Sequence, residues 1–168
     1  LRMAEDAQRA NKLEEAANHA RLAVGYDASI KPQADAIVMI AERARAAAMM
    51  KRIQQILTSP SDMRDLADEL NRVADEVAEV ATRANDAGLL VDVSTVLMKL
   101  KRPVRAAKLA QQAAEVEPRN PRVWEALAEA AHADSKWAIL LKASDRWLHL
   151  EPGNTRAKEL HKAGKREA

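Results

Sequence analysis

The sequence predicts an all-α fold, a solenoid of helical hairpins with a long antiparallel helix pair near its centre. Three observations carry that prediction. Apolar residues fill 48% of the 168 positions, yet phenylalanine is absent and aromatics reach only 2%, so the apolar content is mostly alanine with leucine, valine and methionine, a helix former's palette. No stretch shows the sustained period-two alternation of β-branched or aromatic residues that marks a strand. Finally, the segment from Ala87 to Asn154 reads as one unit written twice: Leu90 and Trp124, Val93 and Leu127, Leu97 and Ala131, Ala106 and Leu140, Ala110 and Ser144, and Pro118 and Pro152 all stand 34 positions apart.

The chain divides into four stretches. Residues 1–30 read as a hairpin that lacks the first positions of its repeat. Met3, Ala4 and Ala7 fall on a first helix, Asn11 on the turn, and Leu13 opens a second helix with Ala16, Ala20 and Ala23 on its small-residue positions. On this reading the chain begins inside a repeat of a larger protein, with further repeats upstream.

Residues 31–86 read as a long, coiled-coil-like helical hairpin. From Pro32, suited to a first helical turn, to Leu57 there is no glycine or internal proline, which predicts one helix of roughly 26 residues, about 39 Å long. Its apolar stripe changes sides, from Ile37, Ile40, Ala41, Ala44 and Ala48 to Met49, Ile53, Ile56 and Leu57. The first half is expected to pack on the N-terminal hairpin and the second half on the helices C-terminal to it. Thr58-Ser59-Pro60-Ser61-Asp62 supplies a break with N-cap residues. Met63, Leu66, Leu70, Val73, Val77, Val80 and Ala84 then form a heptad seam, flanked by Ala67, Ala74 and Ala81. That seam admits two uses: an intramolecular antiparallel pair, or homo-oligomerisation through residues 63–84 as a coiled coil.

Residues 87–154 hold the two clear repeats. Each has a first apolar stripe, a short break, a second stripe and a closing acid-proline turn, Glu117-Pro118-Arg119-Asn120-Pro121 or Glu151-Pro152-Gly153-Asn154, which proline forbids from continuing as helix. Residues 155–168 form a charged terminal helix with Ala157, Leu160, His161 and Ala163 on its inner side, as a helical array needs to cover its last apolar face.

This pattern resembles the tetratricopeptide repeat. Trp124, Leu127, Ala128 and Ala131 fall on the first four positions of that motif, and Ala106, Ala110, Ala113 and Pro118 on the last four of the preceding copy. Leu140, Ser144 and Trp147 depart from it, since the motif there wants small, large, small. Alanines let paired helices approach closely, and larger side chains fill the space between hairpins. Trp124 is placed at the motif's interhelical position, with Trp137 and Trp147 expected to bury against the last hairpin and cap.

The resemblance implies a non-catalytic protein-interaction module that holds a peptide or helix on a concave face lined by the first helix of each repeat. The groove residues it implies are Val91, Asp92, Thr95, Met98 and Lys99, then Arg122, Glu125, Ala126, Glu129 and His132, then Arg156 and Glu159. These are expected to be exposed, with no folding duty. Members that clamp a partner's C-terminal carboxylate use lysine, asparagine and further bases at positions matching Val91, Thr95, Ala126, Arg156 and Leu160. Only Arg156 fits, so a clamp of that type is not expected. Mixed charge in the groove predicts a partner of basic and apolar character. The alternatives are a coiled-coil assembly scaffold through residues 63–84 and a regulatory segment of a larger enzyme.

Signals for chemistry are absent. The four glycines, Gly25, Gly88, Gly153 and Gly164, sit near expected helix ends, leaving no phosphate-cradling loop. Neither a nucleophile elbow nor a zinc-protease helix occurs, and no cofactor or metal is expected. Glu129 and His132 have the spacing used in di-iron bundles, but those need two such pairs plus further carboxylates, and Glu15 with His19 is a helix-surface contact. The cluster Lys99, Lys101, Arg102, Arg105 and Lys108 has no neighbouring aromatic for base stacking, which argues against nucleic acid and for a solvated edge. Net charge is only +2, and no run is long enough to span a membrane. With no cysteine the chain suits a reducing compartment, which makes the cytoplasm the expected location.

Overall fold

In the computed structural model, residues 1–58 and 66–167 are described; the expected N-cap residues Ser59, Ser61 and Asp62, and Met63 of the seam, lie outside them. The described residues form α-helices α1 (Arg2–Arg9), α2 (Leu13–Tyr26), α3 (Lys31–Ile56), α4 (Ala67–Ala84), α5 (Ala87–Lys99), α6 (Pro103–Val116), α7 (Pro121–Ala133), α8 (Trp137–Leu150) and α9 (Thr155–Glu167), with a 3₁₀ turn at Ala28–Ile30 and no strand. The 34-residue register is kept by the backbone: α5 and α7 each have 13 residues, and α6 and α8 each have 14. The chain folds as two compact units, Leu1–Met49 and Met50–Ala168, with α3 running through the division.

In the first unit, α1 pairs with α2, and Ala4, Ala16 and Ala20 pack with Ala34 and Ile37 of α3 in one cluster. Ala16 and Ala20 are fully buried because a methyl group is all that fits where the helices meet. Asp27 links α2 to the 3₁₀ turn by accepting hydrogen bonds from the Ser29 hydroxyl at 2.7 Å and the Ser29 amide at 2.9 Å, which hold its carboxyl below the usual range.

The α3 helix has the expected length, and its stripe changes sides as expected, but the buried set differs. Ala34, Ile37 and Ala41 are buried first, then Ala46, Met50, Ile53 and Leu57. The five-residue step from Ala41 to Ala46 turns the buried face by about 140°, at 100° per residue. Ile40, Ala44 and Ala48 are exposed instead, and Met49 and Ile56 are only half-buried.

In α4 the buried stripe is Leu70, Ala74, Val77, Ala78 and Ala81, while Val73, Val80 and Ala84 of the expected seam are half-buried. The face is centred on the alanine row because α4 packs on α5 and α6, and small residues set that approach. Leu70 and Val77 are therefore covered within the chain.

In the second unit each helix pairs with the next from α4 to α9. Repeat-related positions are buried alike: Leu90, Val93 and Leu97 with Trp124, Leu127 and Ala131, and Ala106, Ala110 and Ala113 with Leu140, Ser144 and Trp147. At Ser144 the hydroxyl donates to the Leu140 carbonyl at 2.7 Å and meets His161 Nδ1 at 3.2 Å, so a polar group serves where the motif is large and apolar. Trp147 is 2% exposed and donates to Glu151 at 2.9 Å, and Trp124 donates to the Pro118 carbonyl at 2.9 Å. Trp137 is only half-buried and meets the ring of His132 edge-on at 6.1 Å.

Two kinds of turn recur. After α1, α4, α5 and α7 the chain passes through a left-handed residue, Asn11, Asn85, Lys101 or Ser135. Each of these amides bonds the carbonyl three residues back and the next amide bonds five back, as in Lys101 to Met98 at 3.1 Å and Arg102 to Leu97 at 2.8 Å. After α6 and α8, an asparagine instead caps the following helix. Asn120 accepts from the Arg122 amide and donates to Glu117; Asn154 accepts from the Ala157 amide and donates to Glu151.

Candidate functional site

Because α5 packs on α7 and α7 on α9, the first helices of successive hairpins form a continuous face, with α6 and α8 behind. Along that face the side chains form ladder-like ion pairs. Arg122 on α7 reaches Asp92 on α5 at 3.2 Å. Arg156 on α9 grips Glu129 on α7 with two bonds, 2.6 Å from Nε and 2.9 Å from Nη2, and also reaches Glu159 at 3.3 Å. The two hydrogen bonds it donates to Glu129 hold the Arg156 guanidinium above its ordinary pKa.

Between α5 and α7 lies a cleft of about 320 Å³, lined by Val91, Ser94, Thr95 and Met98 on one side and Arg122, Glu125, Ala126 and Glu129 on the other. Its floor is apolar where Val91 is 5% exposed and Met98 and Ala126 are half-buried. Glu125 makes no hydrogen bond or ion pair among the described residues. Desolvation, then the neighbouring charges of Glu129 and Glu151, push its carboxyl up against the opposing effect of Arg122.

Seven of the groove residues expected from sequence line this one cleft: Val91, Thr95, Met98, Arg122, Glu125, Ala126 and Glu129. Five others stand apart from it. Asp92, Arg156 and Glu159 are engaged in the ion pairs above, His132 turns to Trp137, and Lys99 is exposed in the last turn of α5. The expectation that these residues have no folding duty is corrected at Asp92, Arg122, Glu129 and Arg156, which tie neighbouring helices, and at Val91, which is buried. Ser94 was not expected; it reaches the cleft while its hydroxyl donates to the Ala106 carbonyl at 3.0 Å, tying α5 to α6. A serine among apolar residues of a first helix was the available signal.

The basic cluster is corrected at two of its five residues. Arg102 and Arg105, at the start of α6, both reach Asp75 of α4, at 3.0 and 3.3 Å, and Arg102 donates to Asn71 at 3.2 Å. They fasten α4 to α6, whereas Lys99, Lys101 and Lys108 stay exposed, as expected of a solvated edge.

No family model matches the sequence, and no curated protein matches it. Solved structures do match. One is the first tetratricopeptide repeat domain of Spaghetti (RPAP3), bound to the HSP90 peptide SRMEEVD; it superposes with a TM-score of 0.54 over 72% of this chain and 90% of that one, at 16% identity. The fold is tetratricopeptide-repeat-like. Paired helices of 13 and 14 residues, repeated at 34, place this chain among helical-repeat solenoids, and at that identity the likeness concerns the fold. Among the described residues no helix is long and apolar enough to cross a membrane.

Proposed function

We propose that this tetratricopeptide-like unit is a non-catalytic interaction module that binds a basic, partly apolar polypeptide segment in the cleft between α5 and α7. The single observation that carries the reading is Glu125, a carboxylate with no hydrogen bond or ion pair among the described residues, raised in pKa, beside the apolar floor of Val91, Met98 and Ala126. A lysine or arginine from a partner would complete the row of charges begun by Arg122 and Asp92, and its apolar neighbours would cover the floor.

The solved neighbour binds an HSP90 peptide, SRMEEVD, that is rich in acid. The present cleft differs in sign. Positions that would hold a carboxylate are Val91, Thr95 and Ala126, and Arg156 is already engaged by Glu129. The ligand class proposed here is accordingly the opposite one.

The test is a pull-down or peptide array with basic-apolar and acidic-apolar peptides on the wild type and on Glu125→Lys. The reading expects retention of the basic set and at least about a tenfold loss with Glu125→Lys, as for a charge reversal at a contact. A basic set that is not retained, or whose retention Glu125→Lys leaves unaffected, overturns it. Glu129 is unsuitable as the primary variant because it also holds α9.

A further inference from the structure

A larger groove lies elsewhere in the same unit, between α4 and α6. The two helices run in the same direction on either side of α5: the start of α6 meets Asp75 of α4, and farther along Thr82 donates to Gln112 at 3.2 Å. Side by side they enclose a groove of about 970 Å³. Its apolar surface comes from Ala78, Pro103, Val104 and Leu109. Val104, in the first turn of α6, is 66% exposed, whereas Leu109 of the same helix is buried.

The rim is basic. Lys101 and Lys108 line the groove and make no ion pair among the described residues, and Arg105 and Arg102 share the single carboxylate of Asp75. Among the described residues Glu79 is the one acid lining it. The contrast with the α5–α7 cleft is one of sign: that cleft offers a free carboxylate, this groove free ammonium groups.

We propose that the α4–α6 groove is a second docking surface, and that its occupant is an acidic amphipathic polypeptide segment of a partner protein. Charge complementarity selects acid: a carboxylate row on the segment meets Lys101, Lys108 and Arg105, while its apolar row covers Val104 and Leu109. The apolar floor suits a polypeptide, and among the described residues no aromatic side chain lines the groove to stack a base of a nucleic acid. The proposal is independent of the α5–α7 reading, since no lining residue is shared.

The experiment is a fluorescence-anisotropy titration of the full chain with three labelled probes: a short helical peptide with leucine on one face and glutamate on the other, its lysine-for-glutamate counterpart, and a single-stranded oligonucleotide. The expected result is saturable binding of the acidic peptide and none of the oligonucleotide; binding of the lysine counterpart belongs to the α5–α7 cleft and is unchanged by variants of this groove. Lys101→Glu with Lys108→Glu should weaken binding of the acidic peptide at least about tenfold and Val104→Asp several-fold, each on an exposed side chain. Should the charge reversals lose helicity by circular dichroism, Lys101→Gln with Lys108→Gln replaces them. Binding of the oligonucleotide in preference to the acidic peptide, affinity unaltered by the groove variants, or no saturation by the acidic peptide overturns the proposal.

Discussion

Arg156 and Glu129 form a two-pronged contact, with bonds of 2.6 and 2.9 Å, that joins the terminal helix α9 to the first helix of the preceding hairpin. Its counterpart one repeat earlier is Arg122, which reaches Asp92. The two arginines occupy the same register position, 34 residues apart, but Glu129 stands one helical turn beyond the equivalent of Asp92. The same cation has thus found a different acid within reach at each step.

Arg156→Ala should loosen α9. Both side chains are partly exposed, so solvent screening keeps the loss to about 0.5–1 kcal/mol. Thermal denaturation at low salt should show it, and the difference from wild type should shrink in high salt. Hydrogen exchange should quicken in α9 before α5.

Glu125→Gln should stabilise the fold at neutral pH by a few tenths of a kcal/mol, because it removes a poorly placed charge at a largely solvated position. The sign comes from the raised folded-state pKa. The folded chain binds this proton more readily than the unfolded one, so the ionised carboxylate opposes folding above that value, and the penalty disappears as pH falls through it into the ordinary carboxylate range. Urea denaturation at about pH 7 and about pH 4 should show the variant's advantage at the first and none at the second.

Lys101 and Ser135 hold the left-handed conformation at φ 61° and 54° without being glycine. Such a residue is strained by roughly 1 kcal/mol, part of which glycine returns as unfolded-state freedom. Lys101→Gly and Ser135→Gly should each raise stability by a few tenths of a kcal/mol up to about 1, and Asn11→Ala or Asn85→Ala should lower it. Differential scanning calorimetry on the four variants decides the order.

Gly164 is buried where α9 crosses α8. A β-carbon there would stand 3.0 Å from Leu141 Cδ2 and 3.1 Å from its Cγ. Gly164→Ala trades better helix propensity, about 1 kcal/mol, against displacement of Leu141. A net destabilisation, read as a lowered melting point, is expected if Leu141 cannot turn; pairing with Leu141→Ala should restore propensity's advantage over the Leu141→Ala parent.

The repeat was legible because one period governs both the burial of Leu90, Trp124, Ala106 and Leu140 and the places where the backbone turns. Sequence spacing fixes which side of a helix a residue occupies. It does not fix how far round that side a neighbour reaches. In α4 the neighbours approach along the alanines, which left Val73 and Val80 half-buried, and in α3 a five-residue step moved burial to Ala46 and Met50. Charge was legible in kind but not in pairing: Arg122, Glu129 and Arg156 are long side chains whose partners depend on helix offsets of a few ångströms. Ser94 stands out as a serine among apolar neighbours, but its partner was not legible because its hydroxyl is satisfied by a carbonyl 12 residues away.

The most direct test of the central claim is a methyl and amide NMR titration of the intact chain with a short peptide of alternating lysine-rich and apolar character. The account predicts saturable shifts concentrated at Val91, Met98, Glu125 and Ala126, abolished by Glu125→Lys. Shifts centred away from the α5–α7 cleft, or none at saturating peptide, would contradict it.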